Sequence, residues 1–263
     1  MGIYLLSMTD RAHGAPSFRA PTLTDLMASL RAGAGDFAAA PLPGLFFAGF
    51  YVVVGAAMAA ITYATGTTFW LILAVLGFPL IGAFAALGLY EVSRRRQAGV
   101  PLTLSEIVSV VWAEKNGQLP WLAVMVVVLF LFWFFLGHMI FALFLGLSPM
   151  TNVSTSLEVF LTSDGLTMLA FGSAVGAVFA SLTFAMSVLG MPMLLDRDVD
   201  FMTALTRSIS AVAETPLIYM AWGAFIAAVT IAAMLPAFLG LFLVLPIFGH
   251  ATWHLYAKLR LGP

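Results

Sequence analysis

The sequence predicts an all-α membrane protein: six transmembrane helices in three hairpins, each hairpin preceded by a short cytoplasmic amphipathic helix. Three observations carry this reading. Of 263 residues, 62% are hydrophobic and only 9% charged, whereas soluble globular chains carry about 25% charged residues. So few charges cannot cover a surface in water. The apolar residues also fall in runs such as Leu119–Leu147, which no acid or base interrupts; runs of about 18 or more read as membrane-crossing helices. Finally, the bases segregate, as set out below.

The elements follow in chain order. Residues 1–20 read as a cytoplasmic N-terminal tail. Its "MGIYLLSM" start has an apolar core too short for a signal peptide and no basic flank, and Met8 is an alternative start. The rest, 21–263, reads as one membrane domain of three units, about 21–96, 97–197 and 198–263. In the first unit Leu23, Leu26, Met27 and Leu30 mark an apolar helix face. Spans at Pro43–Tyr63 and Trp70–Tyr90 follow, joined by "ATGTTF". The second unit places Leu104, Ile107, Val108, Val111 and Trp112 on one face, with Thr103 and Glu106 spaced as a capping box. Its spans are Leu119–Leu147 and Gly165–Leu195. The third opens with "DRDVD", acids suited to a helix N-terminus, then Phe201, Met202, Leu205, Ile209 and Val212 on one face. Its spans, Pro216–Met234 and Ala237–Ala257, meet in a turn at Leu235–Pro236.

"TLTDL" at Thr22–Leu26 echoes "TLSEI" at Thr103–Ile107, and "AE" recurs at Ala113–Glu114 and Ala213–Glu214. All three units enter from the same side, so they are parallel rather than inverted repeats. The short amphipathic segments suit the headgroup layer; packing beneath the bundle or under a partner is the alternative.

With six spans, all eleven Lys and Arg fall on one side. The other holds Glu158, Asp164 and no base. Positive-inside bias then makes both termini cytoplasmic and the loop Ser148–Gly165 external. Arg94, Arg95, Arg96, Arg197, Lys258 and Arg260 read as topology anchors at the headgroups, with anionic lipid as a direct ligand the sharper version.

Packing signals come next. Gly172 and Gly176 form G-x-x-x-G with Ala180 one turn on; Ser173, Ala177, Ser181 and Ala185 make a neighbouring small row. With Gly223 and Ala227 in span five, and Gly55 and Ala59 in span one, the first, fourth and fifth spans are expected inside the bundle. Homodimerisation through span four is the alternative. Phe130, Phe132, Trp133, Phe134 and Phe135 crowd span three, which suits a helix facing lipid or a partner. Pro79, Pro192 and Pro246 lie inside spans and predict kinks.

Composition excludes several functions. A net charge of −1 gives no field for nucleic acid. Zero cysteines exclude disulfides, thiolate zinc, iron–sulfur clusters and cysteine nucleophiles. No paired carboxylates, Ser/His/Asp group or phosphate loop stands out, so no enzyme and no cofactor are expected. The candidates that remain are histidines. His250 and His254 share one helix face, one turn apart, and could hold a metal or haem with ligands such as Glu91, Asp196 or Asp198. Interface anchoring beside Trp253, Tyr256, Lys258 and Arg260 is the plainer reading. His138 is an ionisable group deep in the outer half of a span, a functional candidate by default; the plainer reading bonds it to another helix's carbonyl.

"GLYEVSRR" (Gly88–Arg95), "PMLLDRDVD" (Pro192–Asp200) and "GHATWHLY" (Gly249–Tyr256) together resemble the bacterial integral membrane family called domain of unknown function 2189. The likeness runs roughly from Pro41 to Arg260 and implies a six-span inner-membrane protein. Some relatives bear a label as cytochrome c oxidase subunit I. That catalytic subunit needs histidines converging on haem and copper; here there are four in all. His138 and His250 would lie about 18 Å apart in depth on untilted helices. The expected role is therefore an accessory, assembly or scaffold component of a membrane complex, a respiratory one first. A facilitative path for a neutral solute, lined by Ser173, Ser181 and Ser187, and a haem- or metal-binding subunit are the alternatives. The lipid bilayer and a membrane-protein complex are the expected partners.

Overall fold

The computed structural model describes residues 11–66, 71–146 and 157–262, with side chains from Gly82 in the second stretch and from Glu158 in the third. Ten helices fill nearly all of it: α1 Leu23–Ala39, α2 Pro41–Thr65, α3 Leu71–Gln97, α4 Leu104–Ala113, α5 Leu119–Leu145, α6 Ser163–Ser187, α7 Gly190–Asp196, α8 Phe201–Glu214, α9 Pro216–Met234 and α10 Leu241–Leu259. Two-residue bridges tie the ends together. β1 (Ala12–His13) pairs in parallel with β3 (Arg197–Asp198), and β2 (Ser17–Phe18) pairs antiparallel with β4 (Arg260–Leu261).

Local chemistry sets the boundaries. Proline opens α2 and α9 and stands within the first turn of α5, where its missing N–H costs nothing and its fixed φ suits a helix. The reciprocal capping box belongs to Thr22 and Asp25 at α1. At α4, Thr103 is the N-cap but makes no side-chain cap bond. Its hydroxyl and Arg95 instead both hold the Glu106 carboxylate. The expected box at Thr103–Glu106 is therefore absent: the two side chains bond to each other rather than to the backbone N–H groups of the first turn.

Among the described residues, four helices are long and apolar enough to cross a membrane: Pro41–Thr65, Leu119–Leu145, the α6–α7 stretch Ser163–Asp196, and Pro216–Met234. They coincide with the first, third, fourth and fifth expected spans. α3 covers the second, but its first eleven side chains, Pro79 among them, lie outside the described set. α10 covers most of the sixth, with its apolar character diluted by His250, Thr252, His254 and Lys258. The turn before α10 is longer than expected. Ala237 and Phe238 both adopt positive φ, 51° and 66°, so α10 starts at Leu241 and the Phe238 ring lies against Gly55 of α2.

The fourth expected span is not one continuous helix. Pro192 cannot bond to the carbonyl four residues back and its ring crowds that carbonyl; the helix breaks at Val188–Leu189. Ser208 of α8 repairs the gap. Its hydroxyl accepts from the Leu189 N–H at 3.2 Å and donates to the Ala185 carbonyl at 2.6 Å. Ser208→Ala leaves both backbone groups buried without that partner. We expect a loss of about 1–3 kcal/mol, read as a lowered unfolding midpoint in detergent, with Ser210→Ala, on the exposed face, as the unaffected control.

The core does not sit where the small residues suggest. α7, the C-terminal half of α3 and the C-terminal half of α10 carry its buried side chains, with Leu87, Leu194, Leu195, Trp253, Leu255 and Tyr256 essentially inaccessible. Of the three spans expected inside, the first and fifth stay mostly exposed, while over half of the fourth is buried, largely at its α7 end. Gly176 meets the Trp133 indole nitrogen and Gly172 lies against Ile140, both on α5, while Ala180 is exposed. The glycine row thus packs α6 on α5 rather than on α2 and α9. The backbones of α1 and α10 approach closely at Gly33: a Cβ there would stand 2.6 Å from Ala251 N and Ile247 O.

Candidate functional site

One end of the bundle gathers nearly all the charge, and there the acids and bases pair with each other. Glu91, fully buried on α3, accepts from Arg94 Nε and Arg95 Nε, both at 2.7 Å. Arg95 is only 2% exposed and continues through Nη1 to Glu106 at 2.5 Å and the Pro101 carbonyl at 3.3 Å. Arg96 turns the other way, to Asp36 on α1 at 2.7 Å. A separate group centres on Asp196. It accepts from Tyr256 Oη at 2.7 Å, from Arg197 Nε at 3.0 Å, and from Arg260. Arg11 anchors the N-terminal strand to the Leu194 carbonyl at 2.7 Å and to Glu114. Arg19 grips Asp25 with two bonds, at 2.7 and 2.9 Å.

The arginines expected to be anchors therefore have carboxylate partners. Arg95 is too buried to reach a headgroup; Arg96 and Arg260 keep about a third of their side chains exposed. Lys258 is exposed and has no carboxylate partner among the described residues.

His250 and His254 sit in this layer, and the bonding order of their contacts can be deduced. The Trp253 indole N–H, which can only donate, bonds at 2.9 Å to Gln97 Oε1. That fixes the amide, so Gln97 Nε2 donates to His254 Nδ1 at 2.9 Å. Nδ1 is then the acceptor and Nε2 carries the proton given to Asp36 at 2.7 Å. Both His254 nitrogens are occupied. His250 Nδ1 lies 3.0 Å from the Leu89 carbonyl, an acceptor only, and 2.9 Å from Ser93 Oγ. Its proton is on Nδ1, the Ser93 hydroxyl is free to serve Asp36, and Nε2 is buried without a partner among the described residues.

The two histidines are linked through Asp36 and Ser93, neither of which the sequence singled out. Glu91, Asp196 and Asp198, the acids expected near them, bind Arg94 and Arg95, the Tyr256–Arg260 pair, and His13 at 3.0 Å respectively. Among the described residues, no three His, Asp or Glu side chains lie close enough to share a metal ion. His138 is exposed on α5, and Nδ1 donates to Phe134 O of its own helix at 2.8 Å, not to a neighbouring one. The solute-path serines differ in their surroundings. Ser173 is exposed, Ser187 bonds back to the Thr183 carbonyl, and Ser181 borders an apolar groove of about 400 Å³ between α6, α8 and α9.

Burial pushes the Asp36 carboxyl up, but bonds from His254, Ser93 and Arg96 outweigh it and hold it near 2, below the usual 3.8. A group depressed in the folded state stabilises it fully above its unfolded value, and that gain disappears as pH falls through the folded value. The contribution of Asp36 is therefore whole above pH 3.8 and lost on approach to pH 2. Tryptophan fluorescence during acid titration should show wild type losing more stability in that window than Asp36→Asn, which starts weaker and varies less. Parallel curves would contradict the assignment.

Fold and layer together define an α-helical integral membrane protein whose charged groups are gathered at one end. Residues 71–196 match the family described as "Predicted integral membrane protein (DUF2189)". The resemblance read from the sequence holds over that stretch. It includes "GLYEVSRR" and the first part of "PMLLDRDVD" and stops short of "GHATWHLY". No curated protein and no solved structure matches the chain.

Proposed function

We propose that this is a non-enzymatic, six-span protein of the bacterial inner membrane that works by association, as an accessory, assembly or scaffold component of another membrane complex. The observation that carries the reading is the aromatic face of α5. Phe132, Phe135 and Leu143 are exposed, and large apolar side chains left outside must be covered by lipid or by another protein. Most of the charged groups at that end meanwhile are engaged with one another in holding the helices together, which favours adhesion over reaction as the chain's chemistry.

In this reading the chain has three units, each a short helix followed by two long ones: α1 before α2 and α3, α4 before α5 and α6, α8 before α9 and α10. The charged end faces the cytoplasm, with both termini. A respiratory complex is the first partner to examine. Extraction in mild detergent followed by native electrophoresis and mass spectrometry should give a species larger than the monomer with a second polypeptide in fixed ratio. A chain migrating only as its own monomer defeats the proposal. Reporter fusions should place residues 94–96 and residues 148–165 in opposite compartments.

A further inference from the structure

Beside the His254–Gln97 contact lies a cavity of about 290 Å³ between α1, the end of α3 and the last turns of α10. Ala28, Ala32 and Ala257 give it small walls. Its polar lining is Ser29, Gln97, His254 and Lys258. The question is which hydrogen-bonding capacity the fold leaves to it. His254 has none, since Asp36 and Gln97 take both nitrogens. Gln97 Oε1 receives the Trp253 N–H, and one amide hydrogen goes to His254, so one N–H remains. Ser29 is wholly buried and its hydroxyl has no partner among the described residues. Lys258 contributes an ammonium group with three N–H donors. Gln97 Oε1 and the Ser29 oxygen each keep acceptor capacity; the rest on offer is donor, and the one uncommitted charge is positive. The nearby carboxylate, Asp36, is already bonded to Arg96, His254 and Ser93.

We propose that this cavity binds a phosphate group. A phosphate group supplies acceptors and negative charge, which match the uncommitted Gln97 N–H, the Ser29 hydroxyl and the Lys258 ammonium. The volume lies at the small end of the range for ligand pockets, about 300–1,000 Å³, and suits a headgroup rather than a whole lipid or a nucleotide. The source is either the headgroup of an anionic phospholipid or free phosphate. The first rests on the membrane orientation proposed above; the second does not.

The purified full-length protein in neutral detergent is titrated with phosphatidylglycerol, phosphatidylcholine and, separately, inorganic phosphate, with the unfolding midpoint as the readout. Phosphatidylglycerol is expected to raise the midpoint at concentrations where phosphatidylcholine does not. Lys258→Gln should shift half-saturation about fivefold, Ser29→Ala by a similar factor, and Lys258→Arg by less. Arg207→Gln removes an exposed charge on α8, outside the cavity, and should change nothing; it separates a site from general attraction. The midpoint in phosphatidylcholine reports whether each variant is folded.

A response to inorganic phosphate alone, sensitive to Lys258 and Ser29, makes free phosphate the ligand and still supports the site. The proposal is overturned if neither anion acts, if both cavity variants respond as wild type, or if Arg207→Gln weakens binding as much as Lys258→Gln. Recovery of the protein from the soluble fraction would sink the membrane reading without touching the phosphate arm.

Discussion

Arg95→Ala is expected to lower stability by about 3–5 kcal/mol, the cost of stripping one partner from a buried ion pair. Glu91 has no exposure, and Arg95 bridges it to Glu106 and the Pro101 carbonyl. Removing the guanidinium leaves Glu91 with Arg94 alone and frees the loop before α4. The logic predicts an asymmetry. Replacing both members with apolar groups of similar size, Glu91→Leu with Arg95→Met, removes the buried carboxylate as well as the guanidinium and leaves only Arg94 and Glu106, which have more access to solvent. That double variant should be more stable than Arg95→Ala, as buried pairs elsewhere have tolerated such exchange. Reversible unfolding in mixed detergent measures both. A single variant within about 0.5 kcal/mol of wild type, the range of an ordinary surface change, would show that the layer holds little together.

Gly33→Ala should also be damaging, for a different reason. Its new methyl would meet the α10 backbone, which cannot rotate away as a side chain can. The helices must separate by enough to relieve a 2.6 Å contact, and overpacking of this kind costs about 1–3 kcal/mol. Separation also pulls Asp36, three residues on, from His254. Gly35 supplies an internal comparison: it is in the same helix, and nothing lies within 4 Å of a Cβ there. Gly35→Ala should therefore gain up to about 1 kcal/mol from helix propensity. Equal effects at the two positions would refute the contact.

These cases show what the sequence made legible. Long apolar runs located α2, α5 and α9 to within a few residues, because lipid imposes length and composition directly on a spanning helix. Composition cannot say which residues meet across a bundle. Asp36 looked like one more polar residue on a short helix; its value lies in meeting His254 and Arg96, 218 and 60 positions away. A signal was present in hindsight, since acids on the first short helix match bases and histidines at the ends of α3 and α10. Small residues misled in the opposite direction. Gly172 and Gly176 do permit close approach, but the partner is Trp133 of the adjacent helix, a local contact. The approach that shapes the core is made by Gly33, outside any apolar run. Ser208 was equally hidden, because its role depends on a break created by Pro192 in another helix.

The β2–β4 bridge joins Ser17–Phe18 to Arg260–Leu261. On a ribosome the first of these strands emerges long before the second exists. Ser17–Phe18 must therefore wait for its partner strand while the intervening helices are made, and it pairs only once Arg260–Leu261 has emerged. Truncation before Arg260 would deny it that anchor, and the loosened Ser17–Phe18 segment would then be more open to proteolysis, a simple gauge of whether the bridge has formed.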